Sequence, residues 1–348
     1  MKIKNLIFSI YNSGEMNQGN INPQIDSSLS LLKNNFYEGK FKISLATLDK
    51  LIEENSNIEK TKYQLLLLKA DFLISLRQVD KYIELIEYIE NSFNSTNDLK
   101  FKECKLNVFS FKGDKESFDN LVNELLVLKS SLKREPLEII YLLNNQEIEK
   151  AKNIFENSFL DNKDEKTLFL GGNVYRSLFK FNENKTSTFY YDKAIEFYDE
   201  YLKIANKQNI IEKLDIIFYK VSFFVEKQIN QITLNSDEEK LISNFVEIVD
   251  KLTFDELNLF ENSYFKNILD IYLFLTIQIL NNKDKFNKLA KEHIDNLDII
   301  NWFIYKKINN ELDDKIIIDK YQKTQSLPLL ELEPISKVQS CEKIEQNL

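Results

Sequence analysis

From Ile25 to about Thr324, apolar residues recur at intervals of three and four, the spacing of a helix that buries one stripe. Short polar gaps interrupt the pattern. It predicts helices over 25–37, 41–55, 59–76, 79–94, 99–112, 115–131, 136–145, 147–159, 165–181, 188–207, 210–230, 237–252, 255–280, 284–295, 297–309 and 311–324. Ser236-Asp-Glu-Glu239 and Thr253-Phe-Asp-Glu256 carry the hydroxyl and carboxylate of a capping box. Pro136 suits a first helical turn, where its missing N–H is no loss. Connections this short join antiparallel neighbours. The two ends read differently. Lys2 to Tyr11 is β-branched and aromatic with rough alternation, and turn residues follow at Asn12 to Gly14 and Gly19 to Pro23, which predicts a strand or hairpin arm over 1–24. After Thr324 the period is lost, and Pro328 and Pro334 punctuate a tail over 325–348. Its Leu327, Leu329, Leu330 and Leu332 are expected to lie partly along the last helices.

The helices repeat in pairs. The second member opens as Gly39-Lys-Phe41, then Val79-Asp-Lys-Tyr82, Gly113-Asp-Lys115, Ile148-Glu-Lys-Ala151-Lys-Asn-Ile-Phe155 and Tyr191-Asp-Lys-Ala194-Ile-Glu-Phe-Tyr198. Aligned on Phe41, Val79, Lys115, Ile148 and Tyr191, these openings are 38, 36, 33 and 43 residues apart. Periods near 34 mark helical hairpins that must stack to bury their faces. At these residues the chain resembles the tetratricopeptide-repeat family, whose second helix begins with glycine, an aromatic residue and then alanine at helical spacing. Ala70 stands where the first helix of a repeat needs a small residue for close crossing. The chain departs from the family where small residues are expected: it has Ser44, Tyr82 and Phe118. The resemblance spans residues 25–295 in period, and is residue-level in the first, fourth and fifth hairpins. It implies an all-α, superhelical α-solenoid of antiparallel hairpins over 25–324, with a short β or extended arm before it and an irregular tail after it. The residues that define its repeats are Gly39, Phe41, Ala70, Gly113, Ala151, Phe155, Tyr191, Ala194 and Tyr198.

Composition narrows the function classes. With 6 glycines and 4 prolines in 348 residues, sandwiches, barrels and glycine-loop nucleotide folds are disfavoured. One histidine, two cysteines and three arginines (Arg77, Arg134, Arg176) leave little for enzyme chemistry. Abundant Asn, Lys, Ile, Phe and Tyr share AT-rich codons, so the aromatic excess reflects genome bias more than a stacking surface. A net charge of −9 with so few arginines disfavours nucleic acid. The stretch 236–262 holds eight acids against Lys240 and Lys251, a solvated helix face or a contact for a basic partner. Cys104 and Cys341 match no metal or redox spacing, which fits reduced thiols in a cytoplasm. The most apolar run, Ile268 to Leu280, is 13 residues and reads as a buried helix; a membrane span needs about 20.

Candidate chemistry is thin. His293 lies on a predicted helix with Glu292 beside it in sequence but on another face, so no orienting acid is in place. Asp161 to Glu165 and Asp313-Asp314 lack the glycine turn of a calcium loop. Gly171-Gly172 is no phosphate loop, because no strand precedes it and no Gly-Lys follows; close helix crossing or a kink is its expected role, with the approach of a ligand the lesser alternative. No catalytic or metal residue and no cofactor is expected. A stacked hairpin array offers a face lined by its first helices, where Lys62, Lys69, Lys102, Lys105, Tyr175 and Arg176 are the candidate partner-binding residues. The resemblance therefore implies a non-enzymatic scaffold or adaptor from a bacterial cytoplasm, such as the accessory subunit of a multi-component stress or antiphage defence system. Its expected partner is a protein or peptide. An effector enzyme encoded nearby is one candidate and a second copy, through the N-terminal arm, another. The alternative is a peptide-sensing regulatory receptor on the same repeats, although no DNA-binding helix-turn-helix precedes the first one.

Overall fold

The protein is described here by a computed structural model, which covers residues 23–93, 98–181, 188–205, 210–228 and 236–311. Among these the regular structure is entirely helical. The order is α1 (Pro23–Tyr37), α2 (Phe41–Glu54), α3 (Glu59–Ser75), α4 (Val79–Ser92), α5 (Leu99–Lys112), α6 (Lys115–Leu128), α7 (Arg134–Asn144) and α8 (Ile148–Phe159). Then come α9 (Glu165–Phe181), α10 (Phe189–Ile204), α11 (Ile210–Gln228), α12 (Ser236–Leu257), α13 (Asn262–Gln278), α14 (Lys283–Glu292), a 3-10 turn (Ile294–Asn296) and α15 (Ile299–Ile308). The expected N-terminal arm, apart from the two residues that open α1, lies outside the described residues. So do the helix expected over 311–324, apart from Glu311, and the C-terminal tail.

The described residues form two compact units, one of 23–220 with 250–261 and the other of 221–249 with 262–311. In the first, each of α1 to α9 packs on its successor in the chain, and α3, α5, α7 and α9 also pack on one another in turn. In the second, α13 packs on α14 and α15, and α14 on α15.

One backbone feature recurs at the hairpin turns. Gly39, Arg77, Gly113, Gln146 and Asn281 have φ of +99°, +62°, +71°, +65° and +49°, and each stands two residues before the second helix of its pair. The turn after α15 has the same feature at Asn310 (φ +54°). The hydrogen bonds are those of a helix end closed by a left-handed residue. Gly39 N–H donates to Phe36 O at 3.0 Å and Lys40 N–H to Asn35 O at 3.0 Å. The same two bonds form at Arg77 and Gln78, at Gly113 and Asp114, and at Gln146 and Glu147. This turn sets the register of the helix that follows. The residues five and nine positions beyond it share one helical face. They are Ser44 and Leu48, Tyr82 and Ile86, Phe118 and Val122, Ala151 and Phe155, and Phe286 and Ala290, all at most 2% exposed. Size trades between the two positions, so a missing alanine at the first is tolerated. Where Tyr82 replaces it, the phenol donates to Cys104 O on α5 at 2.9 Å, and its polar end is satisfied in the core.

The repeat-defining residues Phe41, Ala70, Ala151, Phe155, Ala194 and Tyr198 are fully buried. Tyr191 is half-buried, its ring 5.5 Å from that of Tyr219. Pro136 occupies the first turn of α7. The helix expected over 255–280 is broken. Thr253 is non-helical (φ +58°) inside α12, which runs on to Leu257, and α13 begins only at Asn262. The residues between are held by distant parts of the chain: Glu261 N–H donates to Leu76 O at 3.0 Å, the Gln78 side-chain amide donates to Leu259 O, and Phe260 packs its buried ring 5.5 Å from Phe41. The expected capping carboxylate, Glu256, accepts from Lys42 N–H at 2.6 Å.

Gly171 and Gly172 lie within α9 where it crosses α8 and α10. A Cβ on Gly171 would meet Phe155 Cζ at 2.6 Å and Phe197 Cδ1 at 2.7 Å, and one on Gly172 would meet Tyr198 Cδ1 at 2.5 Å. These rings are buried and cannot swing away. Gly172→Ala is therefore expected to destabilise the protein by about 1–3 kcal/mol through overpacking. That outweighs the roughly 1 kcal/mol that alanine would add through helix propensity. Denaturant unfolding of the two proteins measures the difference.

Candidate functional site

The candidate partner-binding lysines sit on the first helices, as expected, but most are engaged within the chain. Lys69 pairs with Asp49 at 2.6 Å, Lys102 is buried against Glu124, and Lys105 pairs with Glu90. Lys62 is half-buried with its ammonium 6.0 Å from the centre of the Tyr88 ring. Tyr175 stacks on Phe197 and donates to Glu156 at 2.9 Å. Asp164 caps α9 by accepting from Thr167 N–H and Oγ1–H at 2.9 and 3.0 Å, which gives the acidic segment 161–165 a structural role. His293 ends α14 with its ring 5.9 Å from Phe265. Cys104 is buried, and burial pushes its thiol up to about 12, which keeps it protonated and unreactive. Among the described residues no group of three His, Cys, Asp or Glu side chains could hold a metal, and no helix is long and apolar enough to cross a membrane.

Arg176 belongs instead to a buried charge network. Asp215, on α11 and 5% exposed, accepts from Arg77 Nη2 at 2.6 Å and from Arg176 Nη1 at 2.8 Å. The three come from the α3–α4 turn, α9 and α11, so one carboxylate ties residues 138 positions apart. Burial alone would raise the Asp215 pKa, but the two guanidinium groups outweigh it and hold the carboxyl below its usual range. Arg176 also lies 4.9 Å from the Tyr219 ring centre, a favourable seat for a cation on an aromatic face. Asn173, one turn before Arg176, accepts from the Tyr198 hydroxyl at 2.7 Å. Lys180, one turn after Arg176, is exposed at its surface end. Partial burial and then the Arg176 and Arg77 charges lower its pKa.

The Asn173 Nδ2 amide and the Tyr219 hydroxyl are buried, 0% and 8% exposed, with no hydrogen-bond partner among the described residues. A deeply buried donor without a partner forgoes about 1–3 kcal/mol. Elsewhere in the first unit, α1, α3 and α5 contribute a smaller polar group, in which Lys100 pairs with Asp71 at 2.9 Å. Burial lowers the pKa of Lys33 in that group, with Asp71 opposing it. Asn173, Asp215, Lys180 and Tyr219 were not legible as a site in the sequence. The available signal was the rarity of arginine: two of its three occurrences share one carboxylate.

In the second unit, Asp298 caps α15 by accepting from Asn301 N–H at 2.7 Å, and its own N–H donates to Asp270 Oδ1 at 3.0 Å. Burial, with the Asp298 charge adding to it, pushes the Asp270 carboxyl up to about 6 despite that hydrogen bond.

No protein-family model, no curated protein and no solved structure matches the chain.

Two outcomes follow from these carboxylates. Asp215→Ala leaves two guanidinium groups buried without their shared partner and is expected to cost about 3–5 kcal/mol in denaturant unfolding. Asp270 carries the opposite sign. An acid whose folded pKa is raised holds its proton more tightly in the fold, so stability falls as pH rises from about 4 through 6. Asp270→Asn keeps the acceptor and removes the buried charge. Its melting temperature should exceed that of the wild type at pH about 7.5 and match it near pH 4.

Proposed function

We propose that this chain is a non-enzymatic interaction protein. In this reading stacked helical hairpins, similar to tetratricopeptide repeats, form a solenoid surface that holds a protein partner. The observation that supports the reading is the recurrence of one turn: a left-handed residue two positions before the second helix of the first four hairpins, at 39, 77, 113 and 146. These are the intervals of 38, 36 and 33 residues at which the second-helix openings recur. Repetition of a unit that cannot bury its own face builds extended surfaces, and extended surfaces suit binding more than chemistry. The setting that fits is a bacterial cytoplasm, with the chain serving as the accessory subunit of a multi-component stress or antiphage defence system. Exposed apolar side chains such as Val127 (86%) and Ile43 (63%) add contact area.

The test uses the tagged full-length chain purified from its native cell. A protein partner retained in fixed stoichiometry is expected. The double charge reversal Lys62→Glu with Lys105→Glu should weaken it at least about tenfold while the melting temperature changes little, because exposed pairs contribute about 0–1 kcal/mol. A co-purifying short peptide that raises the melting temperature would favour the peptide-receptor reading. Turnover of a substrate by the purified chain, with no partner retained, would overturn both.

A further inference from the structure

The donor-rich stripe between α9 and α11 has the composition of an anion site. Asn173, Arg176 and Lys180 fall at spacings of three and four, so they line one face of α9, and Asp215 and Tyr219, four apart, line the facing side of α11. Arg176 reaches both of the latter, bonding Asp215 at 2.8 Å and lying 4.9 Å from the Tyr219 ring centre. Asp215 is shared by Arg77 and Arg176, so one carboxylate meets two guanidinium groups, and Lys180 adds a further cation at the exposed end. Together these named groups hold three positive charges against one negative. Beside them two buried donors, Asn173 Nδ2 and the Tyr219 hydroxyl, have no partner among the described residues. Lys180 is exposed while Arg176 is nearly buried, so the stripe runs from solvent into the core.

We propose that this stripe binds a phosphoryl oxyanion, with Arg176, Lys180, Asn173 Nδ2 and the Tyr219 hydroxyl as its donors. The charge selects the ligand class. A phosphate carries about −1.5 to −2 at neutral pH and offers several strong acceptor oxygens, which answers two cations and two neutral donors together. A single carboxylate would leave one cation unanswered. A nucleic acid would need many more cations than this acidic chain places together. Inorganic phosphate and a small phosphorylated molecule present the same phosphoryl oxygens, so the chemistry of capture is the same for both.

The experiment is calorimetric titration of the full chain with inorganic phosphate and, separately, with adenosine 5′-monophosphate, alongside thermal melting. Saturable binding of one anion per chain is expected, with the melting temperature raised by about 2–4 °C at roughly ten times the dissociation constant. Equal affinities identify free phosphate as the source, and tighter binding of the nucleotide identifies an organic phosphate. Lys180→Gln and Tyr219→Phe should each weaken binding by about three- to tenfold, the range of one hydrogen bond. Both should keep the ligand-free fold, since the first removes an exposed end and the second an unpartnered hydroxyl. Absence of saturable binding to either compound, or binding undiminished in either variant, overturns the proposal. That result would leave the protein-partner reading as it stands, because the two rest on different surfaces.

Discussion

The packing of the first four hairpins depends on one constraint at the turn: the chain passes through a left-handed residue two positions before the second helix begins. Glycine takes that conformation freely, and Gly39 and Gly113 supply it twice. Arg77 and Gln146 adopt it with a Cβ, against a steric penalty of about 1–2 kcal/mol each. The return is register. The turn fixes where the second helix starts, and hence which residues five and nine positions on face inward. The buried pairs from Ser44 and Leu48 to Ala151 and Phe155 all follow from it. Because the two sites share one space, bulk can move between them. That freedom lets a repeat lose its alanine and keep its packing.

Arg77 shows what the penalty is offset by. Glycine at that turn would ease the backbone and remove a guanidinium from Asp215. The network it joins is held by three charges from three separate places in the chain, in a setting where a lone buried ion would be costly. Lysine dominates this sequence, yet both cations bound to Asp215 are arginines. A planar fork with several fixed donors can serve the shared carboxylate and other acceptors together, as a flexible ammonium does poorly.

The helices, their pairing and the role of the glycine doublet were legible because they are local: period, capping chemistry and turn spacing act within a few residues. The break between α12 and α13 was not. Asn258-Leu-Phe-Glu261 contains no glycine or proline, and its apolar spacing continues the helical period. What stops the helix is hydrogen bonding to the Leu76 carbonyl and the Gln78 side chain, over 180 residues away, with the Phe260 ring seated near Phe41. The same limit hid the charge network. Asp215 looks like any helical aspartate until the fold brings Arg77 to it. It also concealed the intramolecular partners of the lysine candidates, since Lys69, Lys102 and Lys105 look solvent-facing until neighbouring helices present Asp49, Glu124 and Glu90.

That contrast separates two kinds of polar residue on these helices. Lys69, Lys102 and Lys105 meet a carboxylate each, so their charge is balanced inside the fold, and in exposed settings such pairs add about 0–1 kcal/mol. The α9–α11 stripe is not balanced: it keeps cations in excess and two buried donors without partners. Folding alone gives no reason to retain the Tyr219 hydroxyl, because phenylalanine would fill the same space without a lone donor. Asn173 holds the buried Tyr198 hydroxyl through Oδ1 at 2.7 Å, so its unanswered end is Nδ2 alone. Unsatisfied donors that persist beside uncompensated charge, in a core otherwise packed with aromatic rings, are accounted for by an acceptor that arrives from outside the chain.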